Sequence, residues 1–379
     1  MARHYLDHAS TSPVRSSARV AMQFSLEHHL GDPGRIHAEG MTTRAAIEAA
    51  RDEVGALFGA RSREVVFTSG ATEAIAMAAW GAAERGPNQV FAAVEHSAVR
   101  RAAEQHGQVT IIGVDSHGCI DVAELLSAVR PDTALVHVQW ANHEVGTVQP
   151  VQEIVDACRA RGVLVHVDAA SAAGHLPIDF GALGADFVSI GAHKLGGPPG
   201  VGALLVRRGV RVRPLMLGGD QERARRAGIE NTPAITGFGA ACAELTLDDT
   251  LAVEAARART QIERLASAAL TIPGVRRYGH PIQRVPHILC LGLDDIEPQA
   301  VLLDLDRRGI AVHSGSACAS EGIEPSPVLE AMGADAHRSL RVSVGWSTTD
   351  ADIDVFADAL PKAIAKLRAY RPTEPPTSR

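Results

Sequence analysis

Short apolar runs alternate with segments of helical periodicity from residue 44 to residue 210, and no other feature limits the possible folds as tightly. The β-rich runs are Glu64–Thr68, Gln89–Val94, Val109–Val114, Thr133–Trp140, Val163–Asp168, Asp186–Ile190 and Gly202–Arg207. Between them, helices are predicted over Thr72–Glu84, Ser97–His106, Asp121–Val129 and Val151–Arg161, with an earlier one over Arg44–Phe58 behind Thr42 and Thr43 as candidate caps. Alternation at this spacing builds βα units, and therefore an α/β fold with a mostly parallel sheet buried on both faces. Ligands of such sheets sit beyond the carboxyl ends of the strands. Thr68, His96, Trp140, Asp168 and Lys194 all fall at those ends or just after them.

After residue 240 the pattern changes to a smaller α+β unit. A long helix, Thr250 to Leu270, is broken by Pro273-Gly274. A strand (His287–Leu293), a helix (Pro298–Arg308), a strand (Ile310–His313), a loop holding Cys318, a short helix (Pro327–Met332), a strand (Ser339–Val344) and a last helix (Asp350–Arg368) follow. Residues 371–379, rich in Pro and Thr, read as a flexible tail.

Composition closes several function classes. A formal charge of −7 argues against a nucleic-acid surface. No apolar stretch reaches 18 residues and none opens the chain, so neither a membrane span nor a signal peptide is expected. The five cysteines are scattered, with no CxxC pair and no metal-ligand spacing, which suits reduced thiols in a cytoplasmic protein and no bound metal.

Against 34 arginines the chain has three lysines, and Lys194 is the only one before residue 362. An arginine serves wherever a permanent charge is enough. A guanidinium cannot form a Schiff base, whereas a desolvated amine can. A lone surface lysine is the plainer alternative. Thr68-Ser69-Gly70-Ala71-Thr72-Glu73 joins a strand to a helix, where free N–H groups, a small backbone and the Thr72 hydroxyl suit a phosphate, or serve as an ordinary cap. Asp168 ends an apolar strand and needs a cationic partner if buried; a protonated pyridine nitrogen would be one, with a helix cap or a metal ligand as alternatives. His96 follows another strand, where an imidazole can stack on a cofactor ring and exchange protons, or be structural. Cys318 lies in a run of small residues from His313 to Gly322 that favours a reactive thiol. Arg341 interrupts an apolar strand, as a fork for a carboxylate or as one half of an ion pair.

Together TSGATE, EHSAV, ANHEVG, HVDAAS, AHKLGGPPGVGAL, GIENTPAITGFG and SGSACAS stand in the order and spacing of the cysteine desulfurases of the class V aminotransferase fold, and the resemblance spans nearly the whole chain. It implies the fold type I of pyridoxal-phosphate enzymes, with a large domain around a mostly parallel seven-stranded sheet and a smaller α+β domain. On that pattern residues 1–15 belong to the small domain, 16–245 form the large domain, 246–370 the small domain with the Cys318 loop, and 371–379 a tail. The resemblance further implies pyridoxal 5'-phosphate as cofactor, L-cysteine as substrate, alanine as product, a homodimer, and a protein or small-molecule sulfur acceptor. Lys194 then resembles the lysine that carries the cofactor, Asp168 the partner of the ring nitrogen and His96 the stacking residue. Ala71, Thr72 and His193 would hold the phosphate. His143 and Ser171 would line the cofactor, Arg341 and Asn142 would bind substrate, and Cys318 would accept the sulfur.

Several positions depart from that pattern. His143 replaces the second asparagine of NNEIG, and Ser171 replaces a glutamine that reaches the cofactor's phenolic oxygen. Gly191 stands for the serine of SGHK, Ile229 for the threonine of GTEN, and Ala74, Ile75 and Ala76 for the end of GATESDN. They point to a specialised branch or altered chemistry. The competing readings are selenocysteine lysis, another C–S cleavage or an aminotransferase or epimerase-like step on the same fold, and a non-catalytic sulfur-transfer scaffold.

Overall fold

The structure, a computed structural model, describes residues 3–314 and 325–369. Its strands are β1 (His4–Tyr5), β2 (Val65–Thr68), β3 (Asn88–Ala92), β4 (Gln108–Ile112), β5 (Thr133–Gln139), β6 (Leu164–Asp168), β7 (Phe187–Gly191), β8 (Gly202–Val206), β9 (Val275–Tyr278), β10 (Ile288–Leu293), β11 (Ile310–Ala311), β12 (His313–Ser314) and β13 (Ser339–Ser343). Seven of them form one sheet in the order β2-β8-β7-β6-β5-β3-β4. Only β8 runs against the rest, paired antiparallel with both β2 and β7. Apart from the edge strand β4, every residue of this sheet is buried.

Burial on both faces has a direct cause in alternation. Val65 and Phe67 face one way, with Val136, Val138, Val165 and Val167, onto helices Ala38–Leu57, Val151–Ala160 and Thr232–Thr246. Val66, Leu135, Leu164 and Leu204 face the other way, onto Ala74, Met77, Ala78 and Ala82 of the helix Ala71–Ala82. Each strand therefore carries apolar residues on both faces, which is why the runs read as nearly continuous.

A second core gathers Leu6, the helices Thr250–Ala269, Pro298–Arg307 and Asp350–Ala369, and strands β10 and β13. Its four-stranded sheet runs β12-β13-β10-β9. The N-terminal segment joins both units. It starts as β1, paired parallel with β11. It then bonds to the larger unit, through Ser12 N–H to the His193 carbonyl at 2.8 Å and Arg15 Nε to the Leu195 carbonyl at 2.9 Å.

Three expectations change. The first long helix begins at Ala38 with His37 as its cap, and Thr42 and Thr43 lie inside it, their hydroxyls turned back to the carbonyls of Ala38 and Glu39. A threonine inside a helix satisfies its hydroxyl this way, so the residue type alone does not mark the start. The single strand expected over Ile310–His313 is two, β11 and β12, because β11 pairs with β1 and β12 with β13. The helices Ser16–His28 and Thr232–Thr246 were not anticipated, although Asn231, whose side chain accepts the Ala234 N–H, and Pro233 mark the start of the second. Cys318 and residues 371–379 lie outside the described residues. No helix among the described residues is long and apolar enough to cross a membrane.

Candidate active site

A cavity of about 510 Å³ opens at the carboxyl ends of β2, β5, β6 and β7, floored by the large sheet and walled by Ala9, Ser10, Thr11 and Arg341. One side is the N-terminus of the helix Ala71–Ala82, where Gly70, Ala71 and Thr72 line the space. The first amides of a helix have no partner within it, so this end offers N–H groups to an anion. Gly202 makes the approach possible: a Cβ there would lie 2.4 Å from the Ile190 carbonyl oxygen and 2.7 Å from Gly70 Cα. Glu73, in the same turn, is held by Arg226 at 2.8 Å and accepts from Ser69 N–H at 2.6 Å. Burial opposes its ionised form, but the Arg226 and Ser69 hydrogen bonds win and hold its carboxyl below the usual value.

Asp168 ends β6 on the cavity floor and is 6% exposed. Its Oδ1 accepts the Ala170 N–H at 3.0 Å and the Ser189 hydroxyl at 3.1 Å. No cationic side chain among the described residues makes an ion pair with it, so a buried carboxyl group faces the cavity with neutral donors only. A protonated ring nitrogen would supply the missing charge.

Lys194 follows β7 in a short 3-10 turn, and its Nζ lies 3.3 Å from Ser171 Oγ. His96 caps the helix Ser97–His106, its Nδ1 accepting the Ala98 N–H at 3.1 Å, which leaves the proton on Nε2. Its ring meets that of His143 edge-on, with centroids 5.0 Å apart. Burial is the main cause that keeps these imidazoles neutral: His96 falls to about 4, His143 to about 3 and His193 to about 4. Gly191 also has a use here. A Cβ at that position would stand 3.2 Å from the His193 ring, so a serine would crowd it.

Arg341, on β13, is 1% exposed. Its Nη1 donates to the His143 carbonyl at 2.9 Å, and its Nη2 to Asp7 Oδ1 at 2.9 Å and Ser10 Oγ at 2.6 Å. The ion pair and the cavity position thus belong to one residue: Asp7 aims the guanidinium while its face remains on the cavity wall.

The cavity brings together Ala71, Thr72, His96, His143, Asp168, Ser171, His193, Lys194 and Arg341. Asn142 is not among its lining. That residue is fully buried, its amide nitrogen 3.2 Å from the Val94 carbonyl and its oxygen accepting the N–H groups of Glu144 and Val145 at 2.9 Å each, so it shapes the turn while His143 reaches the cavity. Cys318 cannot be placed among the described residues. Sequence reasoning missed Asp7, Ser10, Glu95 and Ser189. Glu95 stands next to His96 and Asp7 in the YLDHA run, but neither shows from the sequence which distant residue it meets.

Taken as a set, the site offers an amine, a carboxyl group awaiting a cation, neutral imidazoles, an anion cradle and a guanidinium. The residues fit pyridoxal phosphate: cradle for phosphate, Asp168 for ring nitrogen, His96 for ring face, Lys194 for the carbonyl.

Residues 4–356 match the family described as Aminotransferase class-V. The curated protein cysteine desulfurase IscS 1 of Archaeoglobus fulgidus is 39% identical, across 97% of this chain and 98% of its own. A solved NifS-like protein superposes with a TM-score of 0.89 at 30% identity, covering 97% of this chain and all of its own. A structure titled SspA in complex with cysteine matches with a TM-score of 0.79 at 28% identity, over 90% and 99% of the two chains.

Proposed function

The chain belongs to the class-V aminotransferase family, and from that premise we propose that it is a pyridoxal-phosphate-dependent cysteine desulfurase, taking sulfur from L-cysteine and leaving alanine. The observation that carries this reading is Lys194 sharing one cavity with Asp168, a buried carboxyl group in no ion pair among the described residues. When bound, the cofactor supplies an electron sink that weakens bonds at the substrate's Cα and Cβ.

The chain's own residues do the rest. The start of the helix Ala71–Ala82 would hold the phosphate, with the Thr72 hydroxyl and His193 lining the same cavity. Asp168 would keep the ring nitrogen charged, and Ala170 and Ser189 keep Asp168 in place. His96, neutral and fixed by its cap bond, would face the ring. Arg341, aimed by Asp7 and Ser10, receives the substrate carboxylate and so fixes the Cα–H bond relative to Lys194, whose amine moves that proton. Cys318 takes the sulfur: its thiolate attacks the substrate Sγ, the Cβ–S bond breaks with its electron pair left on Cβ, and Cβ takes up a proton to give alanine while the sulfur stays on Cys318 as a persulfide. An acceptor, protein or small molecule, then collects the sulfur. A second copy of the chain would cover exposed apolar side chains such as Ile36, 94% exposed, Leu217, 85%, and Ile229, 68%.

The test is formation of alanine and sulfide from L-cysteine by the purified chain with added pyridoxal phosphate and an excess of a dithiol reductant, which releases the persulfide sulfur as sulfide. Lys194→Ala abolishes both products and the cofactor's visible absorbance. Cys318→Ala keeps the absorbance and loses sulfur transfer; full sulfide release by that variant would overturn the persulfide route.

A further inference from the structure

Glu95 closes the segment that delivers His96, and none of the chemistry above uses it. It is 3% exposed. Its Oε1 accepts the Gln139 N–H at 2.6 Å, while its Oε2 is buried with no hydrogen-bond partner among the described residues. Gln139 stands opposite Asp168 in the β5–β6 register, so this carboxyl group sits under the same cavity floor. The nearby polar groups of β5, the turn after it and the His96 segment are uncharged. The Gln139 side-chain amide donates to the Val94 carbonyl at 2.9 Å, and Asn142 to the same carbonyl at 3.2 Å, while His96, next in the chain, is neutral.

A buried oxygen with no donor among the described residues, beside a second carboxyl group, is a poor place for negative charge. Burial first, and the charge of Asp168 second, push the Glu95 carboxyl up to about 8, against a smaller opposing effect of the Gln139 N–H. Of those causes, only the Asp168 charge changes when a cation arrives.

We infer that Glu95 is a proton-holding positioning residue: it keeps a protonated carboxyl beside Asp168 beneath the cavity, and it releases that proton more readily once a cation is bound against Asp168. The second half rests on the reading that Asp168 faces a protonated ring nitrogen. In the release one O–H bond breaks at Oε2, the electron pair stays on the carboxylate and the proton passes to buffer. Because the acid is neutral in the resting site, Asp168 acts as a single charge, and β5 stays tied to the His96 segment by the Gln139 bond.

The experiment is infrared spectroscopy of the full chain across pH, reading the protonated-carboxyl C=O stretch, in wild type and Glu95→Gln, with and without pyridoxal phosphate. The glutamine variant keeps the shape and the acceptor for Gln139 N–H. Without cofactor, wild type shows a band at neutral pH that Glu95→Gln lacks. With cofactor, its titration midpoint moves down by about one pH unit or more. Absence of a Glu95-dependent band in the cofactor-free chain means an ionised Glu95 and overturns the inference, whatever the function. A band whose midpoint the bound cofactor leaves unchanged overturns the coupling to Asp168. Retained cofactor affinity in Glu95→Gln, with loss in Glu95→Ala, is the conservative rescue expected of a positioning role; equal loss in both overturns it.

Discussion

Asp168 is bonded by a backbone N–H and a hydroxyl, and neither contact requires its charge. Asp168→Asn therefore removes the charge and keeps a hydrogen-bonding group of the same shape. We expect a folded protein whose affinity for pyridoxal phosphate falls roughly 10- to 100-fold, the range of about 1.5–3 kcal/mol for a charge-assisted bond, read by absorbance titration. Unchanged affinity would remove Asp168 from the cofactor. Glu95 makes the opposite demand. Its folded carboxyl titrates above the unfolded one, so the stability it contributes is present below the unfolded value and is lost as pH rises towards about 8. Glu95→Gln does not titrate there. Between pH 5 and pH 8 the variant's unfolding free energy, from chemical denaturation, therefore gains on that of wild type, and a constant difference would contradict a raised Glu95.

The elements that aim these residues tolerate little added volume. At Gly202, β8 passes so close to Gly70 and to β7 that a single methyl group forces one backbone to move. Gly202→Ala should cost about 1–3 kcal/mol by overpacking. Because the displaced segment begins the helix Ala71–Ala82, cofactor affinity should fall with it, as thermal melting and a binding titration would show together. A variant as stable as wild type would mean that the loop yields freely. The strands of the large sheet were legible in the sequence to within a residue or two, because burial on both faces writes an apolar run. The cradle, Asp168, Lys194 and His96 were legible because strand ends are where such sheets bind ligands. The helix Thr232–Thr246 was not, since the apolar residues of GIENTPAITGFGAACAEL spread round it without a clear stripe. Nor was the split at Ile310–His313, which depends on β1, some 300 residues away in the chain. That Asn142 lies outside the cavity while His143 lines it follows from which way a tight turn points each side chain, and spacing alone does not encode that.

Over the whole molecule, imidazoles are unusually well hidden. Burial holds His8, His96, His137, His143, His166, His175, His193 and His287 neutral, each below the ordinary histidine value. Two pairs tie the architecture: His137 to His166 across β5 and β6 at 2.9 Å, and His175 stacked on His287, which precedes β10, with centroids 3.4 Å apart. Unfolded histidines protonate as pH falls through about 6.5, whereas folded His8, His137 and His175 resist until about 3 to 4, so the stability they contribute is full above that window and drains through it. Each histidine contributes up to about 1.4 kcal/mol per pH unit inside it. Melting of the cofactor-saturated protein should thus drop steeply from pH 7 to pH 5, with several protons taken up on unfolding; a flat profile would mean that these rings are already charged when folded.

The bond from Arg341 to Asp7 spans 334 positions of the chain. At a synthesis rate of roughly 5–20 residues per second, these partners leave the ribosome roughly 17–67 s apart. The large sheet and its Lys194 turn are complete well before that. From the end of β8 at Val206 until Arg341 is made, roughly 7–27 s at that rate, a nascent chain has the floor of its cavity but not the wall that would grip a carboxylate, so its chemistry waits on a later stretch of the chain.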